Sequence, residues 1–204
     1  MPSRNIMKEQ IPDSYYHIYA RGINKQKIFI DNIDYGYFVK LFERYLSKKP
    51  SISKTGEIYP HYLNKVHILV YCLMSNHFHL LLHQVDLPYM EKFMRSLMTS
   101  YSRYFNLKYK RTGPVFESCY KAVLIADDVY LQHVSRYIHL NPRTWVKYRY
   151  SSLKYYRDVE APFWLNTETI LNRFQSKIKY IEYISDYKDM RDELDIVKYK
   201  LDNK

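Results

Sequence analysis

The chain predicts an α+β fold: a ferredoxin-like α/β sandwich with an antiparallel-rich sheet and additional C-terminal helices. Three observations carry that reading. Strand-like and helical segments follow one another as β-α-β-β-α-β, a further helical pattern comes after them, and 47% hydrophobic residues with only 4 Gly and 8 Pro in 204 residues indicate a folded core. Residues 15–20, YYHIYA, are aromatic and β-branched and end at the turn Arg21-Gly22. Residues 31–48 place Ile33, Tyr37, Phe38, Leu41, Phe42 and Tyr45 at three- and four-residue spacing behind Asp31, a helix N-cap residue, despite Gly36. VHILVYCL (66–73) is nearly all apolar, MSN is a tight turn and HFHLLLHQ (77–84) is the next strand, so the two form a hairpin. Residues 88–107 are an amphipathic helix, 115–125 (VFESCYKAVLI) supply a fourth strand, and 127–141 open on acidic residues and stop at Pro142 as a helix should. The first two helices belong on one face of the sheet, leaving the other face for a ligand or a further helix. Residues 143–166 are irregular and aromatic, while 167–184 and 186–201 have helical periodicity.

Charge narrows the function classes. The 32 Lys+Arg outnumber the 21 Asp+Glu, for a net charge of +11. Up to residue 160 there are 24 basic and 13 acidic residues, and after it 8 of each, so the whole excess lies in the first part. Such a field draws in polyanions, whether RNA, DNA or an anionic membrane surface. Cys72 and Cys119 are too few for a disulfide scaffold and form no CxxC pair, which points to a reducing compartment. The first sixteen residues lack the apolar region of a signal peptide and no run reaches 18 apolar residues, so a cytoplasmic protein with no membrane partner is expected. The 24 tyrosines invite a reading as a stacking surface for bases, although most must serve packing.

Two histidine-bearing patterns carry chemistry. His77 and His79 are two apart on a strand, so both imidazoles project to one face while Phe78 points to the other, a geometry that suits a metal or, equally, a half-buried sheet pair. His83 shares that face further along, and His67 lies on the facing strand. Tyr137 and Asn141 are four apart near the end of a helix and lie on one stripe, with Arg136 beside Tyr137 and His139 displaced from the stripe. That helix face can present a nucleophile and a ligand together; core packing for the tyrosine and a cap for the asparagine are the plain alternatives.

MSNHFHLLL (74–82) followed by RYIHLNP (136–142) resembles the IS200-like single-tyrosine HUH transposases. Further similarity runs through YHIYARGINKQKIF, the ESCYKAVLIADDVYL region and Ser-Ser-Leu-Lys-Tyr at 151–155, so it covers about residues 12–156. Asn at position 141, where much of the superfamily has Gln, looks like the solitary, repeat-associated (REP-associated) branch. The resemblance implies that His77 and His79 are metal ligands, that Asn141 is the helix-borne third ligand and that Tyr137 is the nucleophile, giving a catalytic set of Tyr137, His77 and His79. It implies cleavage and strand transfer of single-stranded DNA near a hairpin or palindrome through a 5′-phosphotyrosine, with Mg²⁺ or Mn²⁺ as cofactor. A phosphodiester resists attack because its oxygens are charged, so a cation and a phenolate are the groups the reaction needs.

DNA contacts are expected from Arg21, from Lys108, Lys110 and Arg111 after the second helix, from Lys121 and Arg136, and from Arg143, Lys147 and Arg149 after the tyrosine helix, with Trp145, Tyr148 and Tyr150 available to stack on bases. Two departures stand out. Glu117, Ser118 and Cys119 occupy a stretch where relatives carry Gln, Gly and Arg, and residues 157–204 fall mainly outside the similarity. The expected organisation is therefore a catalytic domain over 1–156 and a helical extension over 157–204. A monomer is favoured over a homodimer. The competing readings are a non-catalytic nucleic-acid-binding protein on the same fold, and a host protein using the same cleavage at chromosomal repeats.

Overall fold

The computed structural model describes residues 11–186. Four strands, β1 (Ser14–Arg21), β2 (Val66–Met74), β3 (His77–Gln84) and β4 (Lys121–Ile125), form one sheet in the order β2-β3-β1-β4, antiparallel at every pairing. The hairpin β2-β3 turns on Ser75 and Asn76 alone. Its tip is clamped by the first loop: Gly22 N–H donates to Asn76 O, and the amides of Ile28 and Phe29 donate to Ser75 O. Gly22 is required there, because a Cβ would come within 2.2 Å of the Gln26 carbonyl oxygen.

Helices α1 (Asn32–Leu46) and α2 (Tyr89–Lys108) cover one face of the sheet. Asp31 caps α1 by accepting from the amides of Ile33 and Asp34, and Asp34 returns the bond, a complete capping box. Under these helices lies an aromatic core in which Phe38, wholly buried, meets Phe29, Phe42, Phe78 and Tyr101 at centroid distances of 5.0–5.4 Å. Helix α3 (Asp128–Leu140), capped by Asp127, covers the other face through Leu131, Val134 and Ile138. The short helices α4 (Leu153–Arg157), α5 (Glu168–Leu171) and α6 (Lys177–Ser185) pack outside it. The face left open by the first two helices is thus taken by a further helix.

Two expectations need correction. The fourth strand is shorter than 115–125: Val115 and Phe116 anchor in the core, Phe116 bridges to Gly22 and the Glu117 amide donates to the Arg21 carbonyl, but Ser118 and Cys119 bulge away, and regular pairing starts only at Lys121. The helical pattern over 167–184 is two helices, broken where Gln175 adopts a left-handed φ of 50° and Ser176 caps a new start by accepting from the Lys179 amide. In the segment after 156, Trp164 and Leu165 join the aromatic core, and Ile170, Phe174, Tyr180 and Ile184 join the core under α3. Beyond Asp186 the pattern expected over 186–201 lies outside the described residues. No helix among the described residues is long and apolar enough to cross a membrane.

Candidate active site

The strands and helices bring four element ends to one edge of the sandwich: the C-termini of β1 and α3 and the N-termini of β3 and β4. Register then sets the side chains. Cys72, His79, Tyr19 and Lys121 stand in one cross-strand row, with Met74, His77 and Arg21 in the next row but one, all on the α3 face. The alternation in β3 sends Phe78, Leu80 and Leu82 into the aromatic core and His77 and His79 toward α3.

Helix α3 places Ile138 in the core, which leaves Tyr137 half-buried at the site and Asn141, the helix C-cap, over both histidines. Asn141 Oδ1 lies 3.2 Å from His77 Nε2, and Asn141 Nδ2 lies 3.4 Å from His79 Nε2. The Tyr137 ring stands edge-on to His79 at 5.6 Å and to His17 at 5.8 Å. Tyr19, Arg21, His77, His79, Glu117, Ser118, Cys119, Lys121 and Tyr137 line a cleft of about 270 Å³. All four residues expected to do chemistry therefore converge within one chain.

Hydrogen-bond logic fixes the protons at His77. Asn76 Nδ2 donates to the Lys25 carbonyl, so its Oδ1 is the atom 2.7 Å from His77 Nδ1, which must carry the hydrogen. A neutral His77 then has a bare Nε2 facing Asn141 Oδ1, lone pair against lone pair, an arrangement that a cation between them satisfies. Burial holds His77 below the usual histidine range, opposed by Asn141 Oδ1, which would accept from a protonated Nε2, and aided by Arg21. Burial also holds His79 well below it, with His17 and His77 adding to the effect. Both rings are thus neutral and able to ligate at physiological pH. Among the described residues no group of three or more His, Cys, Asp or Glu is arranged to hold a metal. Two imidazole nitrogens and one amide oxygen are the donor set on offer here.

The basic residues divide. Arg21 sits on the lip of the cleft in a paired contact with Glu117, both bonds 3.1 Å, and Lys121 reaches over the Tyr19 ring at 5.5 Å. Lys110 and Arg111 border a basic hollow with Arg44, Lys54 and Arg103. Arg143, Lys147 and Arg149 are exposed beyond α3. Two expected contacts are corrected. Arg136 is 2% exposed, stacks over the Tyr183 ring at 4.1 Å and donates to the Tyr183 carbonyl, so it braces α6 and presents no surface to DNA. Lys108 is bound by Asp31 and Asp34 at 2.7–2.8 Å and ties the end of α2 to the start of α1. Two of the aromatics also make contacts within the fold: Tyr148 donates to the Leu73 carbonyl, and Tyr150 stacks on Tyr35 at 3.6 Å and bonds Asn32. His83 pairs with Asp13 and stacks on His67 at the far end of β3, and His139 is buried between Tyr180 and Ser152, so none of the three joins the site.

His17 also belongs to the site, although no motif in the sequence singles it out. Its ring is wholly buried, its Nε2 lies 2.9 Å from His79 Nδ1, and burial pushes its pKa down to about 3. The available signal was parity: His17, Tyr19 and Arg21 share a face of β1, and only the β1–β3 register shows that this is the face of His77 and His79.

The model of the family described as "Transposase IS200 like" matches residues 10–141. The chain belongs to the IS200-like transposase family. The match takes in the first motif and the second as far as Asn141. DNA cleavage and strand transfer by a tyrosine transposase is accordingly its class of chemistry. Among solved structures, a REP-associated tyrosine transposase bound to a REP hairpin superposes with a TM-score of 0.51 at 12% identity, over 74% of this chain and 82% of that one. A candidate transposase from Deinococcus radiodurans R1 gives 0.41 at 13% identity, over 64% and 92%. No curated protein matches the chain.

Proposed function

We propose that this family member is a divalent-metal-dependent endonuclease and strand transferase for single-stranded DNA, with Tyr137 as nucleophile and His77, His79 and Asn141 as metal ligands. The observation that carries the proposal is the convergence of Tyr137 from α3 with both histidines of β3 under the Asn141 amide, in a cleft that also holds Arg21 and Lys121. Three ligands of this kind suit Mg²⁺ or, with its greater tolerance of imidazole, Mn²⁺, and leave positions for water and a phosphate oxygen. When bound, the cation neutralises charge on the scissile phosphate and on the departing oxygen. The C-terminal end of α3 points its partial negative charge at the same place and favours a cation there.

The chain's own residues do the rest. Arg21 and Lys121 hold the phosphate in the cleft. The Tyr137 oxygen forms its bond to phosphorus as the P–O3′ bond breaks; the phenol proton passes to solvent and the 3′ oxygen takes one up. The product is a 5′-phosphotyrosine and a free 3′-OH, and attack by another 3′-OH runs the step in reverse to join new ends without ATP. Tyr137 works beside the histidines of its own chain, which supports a monomer. Lys110, Arg111, Arg143, Lys147 and Arg149 contact the strand outside the cleft. A hairpin or palindromic substrate of the repeat-associated kind is supported by Asn141 and by the fold shared with the hairpin-bound transposase. Residues 157–186 brace the catalytic part.

Incubation with end-labelled single-stranded hairpin DNA and Mn²⁺ tests the reading. Wild type is expected to form a covalent protein–DNA adduct and Tyr137→Phe none, with both binding the DNA alike. Equal adduct from both variants, or binding without cleavage across a hairpin library, sinks it; the latter outcome belongs to a non-catalytic DNA-binding protein.

A further inference from the structure

We infer that His17 is a positioning residue that fixes the tautomer of His79, keeping its hydrogen on Nδ1 so that Nε2 offers a lone pair to the cation; this rests on the metal assignment above. His17 lies on β1 two residues before Tyr19, which is the register partner of His79, so the two imidazoles are diagonal neighbours on one face. His17 Nε2 and His79 Nδ1 are 2.9 Å apart, and their rings are nearly parallel at 5.1 Å.

One hydrogen lies between those two nitrogens, and its owner decides what His79 can do. A neutral imidazole carries a single N–H. Were His17 the donor, the hydrogen of His79 would sit on Nε2 and no lone pair would face the site. With His79 as donor, Nε2 is bare. The opposite side of His79 agrees with the second arrangement, since the atom of Asn141 turned toward Nε2 is the donor Nδ2.

The same count puts the hydrogen of His17 on its own Nδ1. That atom is buried and has no hydrogen-bond partner. The His17 row is otherwise Leu81, Val70 and Val123, residues of the apolar core under α3. A side chain present only to fill this space would do better as Phe, which leaves no polar atom unmet. The bond to His79 accounts for a histidine in an apolar row. The arrangement parallels His77, whose Nδ1 hydrogen is held by Asn76, so each ligand has its outward nitrogen engaged and its inward one bare.

The test uses full-length wild type, His17→Phe and His17→Gln, the last supplying an amide oxygen in place of Nε2. Nitrogen-15 NMR of the metal-free protein reads the His79 tautomer, Mn²⁺ titration followed by electron paramagnetic resonance reads affinity, and thermal melts report folding. Wild type is expected to carry the hydrogen on Nδ1. His17→Phe should melt no lower than wild type yet bind Mn²⁺ about 10- to 100-fold more weakly, and His17→Gln should recover most of that loss. A folded His17→Phe with wild-type Mn²⁺ affinity overturns the inference, as does a wild-type His79 protonated on Nε2. Should His17→Phe fail to fold, His17→Gln decides: near wild-type affinity upholds the inference and a Phe-like loss ends it. Folded wild type that takes up no Mn²⁺ is a different result, since it removes the metal assignment and the inference together.

Discussion

The two faces of the sheet are built on opposite terms. Under α1 and α2 the buried contacts are mainly rings and aliphatic chains, the buried polar groups being Asp34 and Gln84 at the helix starts, and the Tyr45, Tyr62 and Tyr101 hydroxyls bond to backbone or serine. Under α3 the apolar layer is interrupted by His17, His79, Ser135, Arg136, His139 and Ser152, all buried and all tied by specific bonds. Buried polar groups contribute less to stability than apolar ones of the same size, but their directional bonds fix side chains in space. One face holds the fold together, and the other gives up part of that to hold a constellation of donors in place.

That division can be broken by experiment. The largest expected effect is Phe38→Ala: removing a wholly buried ring from the aromatic face should cost about 3–5 kcal/mol in denaturant unfolding while Mn²⁺ affinity of the folded protein stays put. A change in metal binding would show that the faces are not independent. Arg136→Leu should cost less, about 1–3 kcal/mol, from the lost ring stack and carbonyl bond to Tyr183, with DNA affinity and its salt dependence unchanged. A shallower salt slope in this variant would return Arg136 to the DNA surface.

The smallest effect concerns Lys108. Burial raises the Asp34 carboxyl, but Lys108, the Ile30 amide, Tyr109 and Tyr104 together hold it below the usual carboxylate range. With the folded pKa lowered, the stabilisation is present above about pH 4 and is lost as pH falls through the folded value. Lys108→Met should therefore shift the acid side of the stability curve to higher pH and leave the salt slope of DNA binding alone. Arg143→Ala should do the reverse, lowering that slope by about 0.7 for one single-strand phosphate contact and sparing stability. Equal slopes for the two variants would erase the distinction drawn between paired and free-standing basic residues.

The elements legible in the sequence are those set by near neighbours. Asp31 and Asp127 cap the helices they open, the period of two in HFHLLLHQ separates histidines from Phe78, and the four-residue step from Tyr137 to Asn141 puts both over the sheet. What escaped depends on pairing across distance. Lys108 meets Asp31 from 77 residues away, and Arg136 differs from Tyr137 by one step of about 100° around the helix, enough to face α6 instead of the cleft. His17 becomes meaningful only through strand register. The Glu117 stretch stands out in the sequence as a departure, but its contact with Arg21 at the lip of the cleft depends on the loop that replaces the first half of the fourth strand.

The two-residue tip at Ser75 and Asn76 has a practical meaning for engineering this chain. Its backbone oxygens are already engaged by the first loop and its side chain by His77, so the edge of the sandwich that bears the chemistry has no slack for a graft. The long connector between α1 and β2 enters the sheet at the opposite edge, where β2 begins beside the end of β3. Its Lys54, Thr55 and Gly56 are exposed at the tip of a small turn closed by backbone bonds between Ser53 and both Gly56 and Glu57. A fluorophore or an affinity handle fits there better than at the tip, and because Lys54 and Thr55 border the basic hollow beside Lys110 and Arg111, a label there reports on strand binding outside the cleft while the tip that seats His77 keeps its shape.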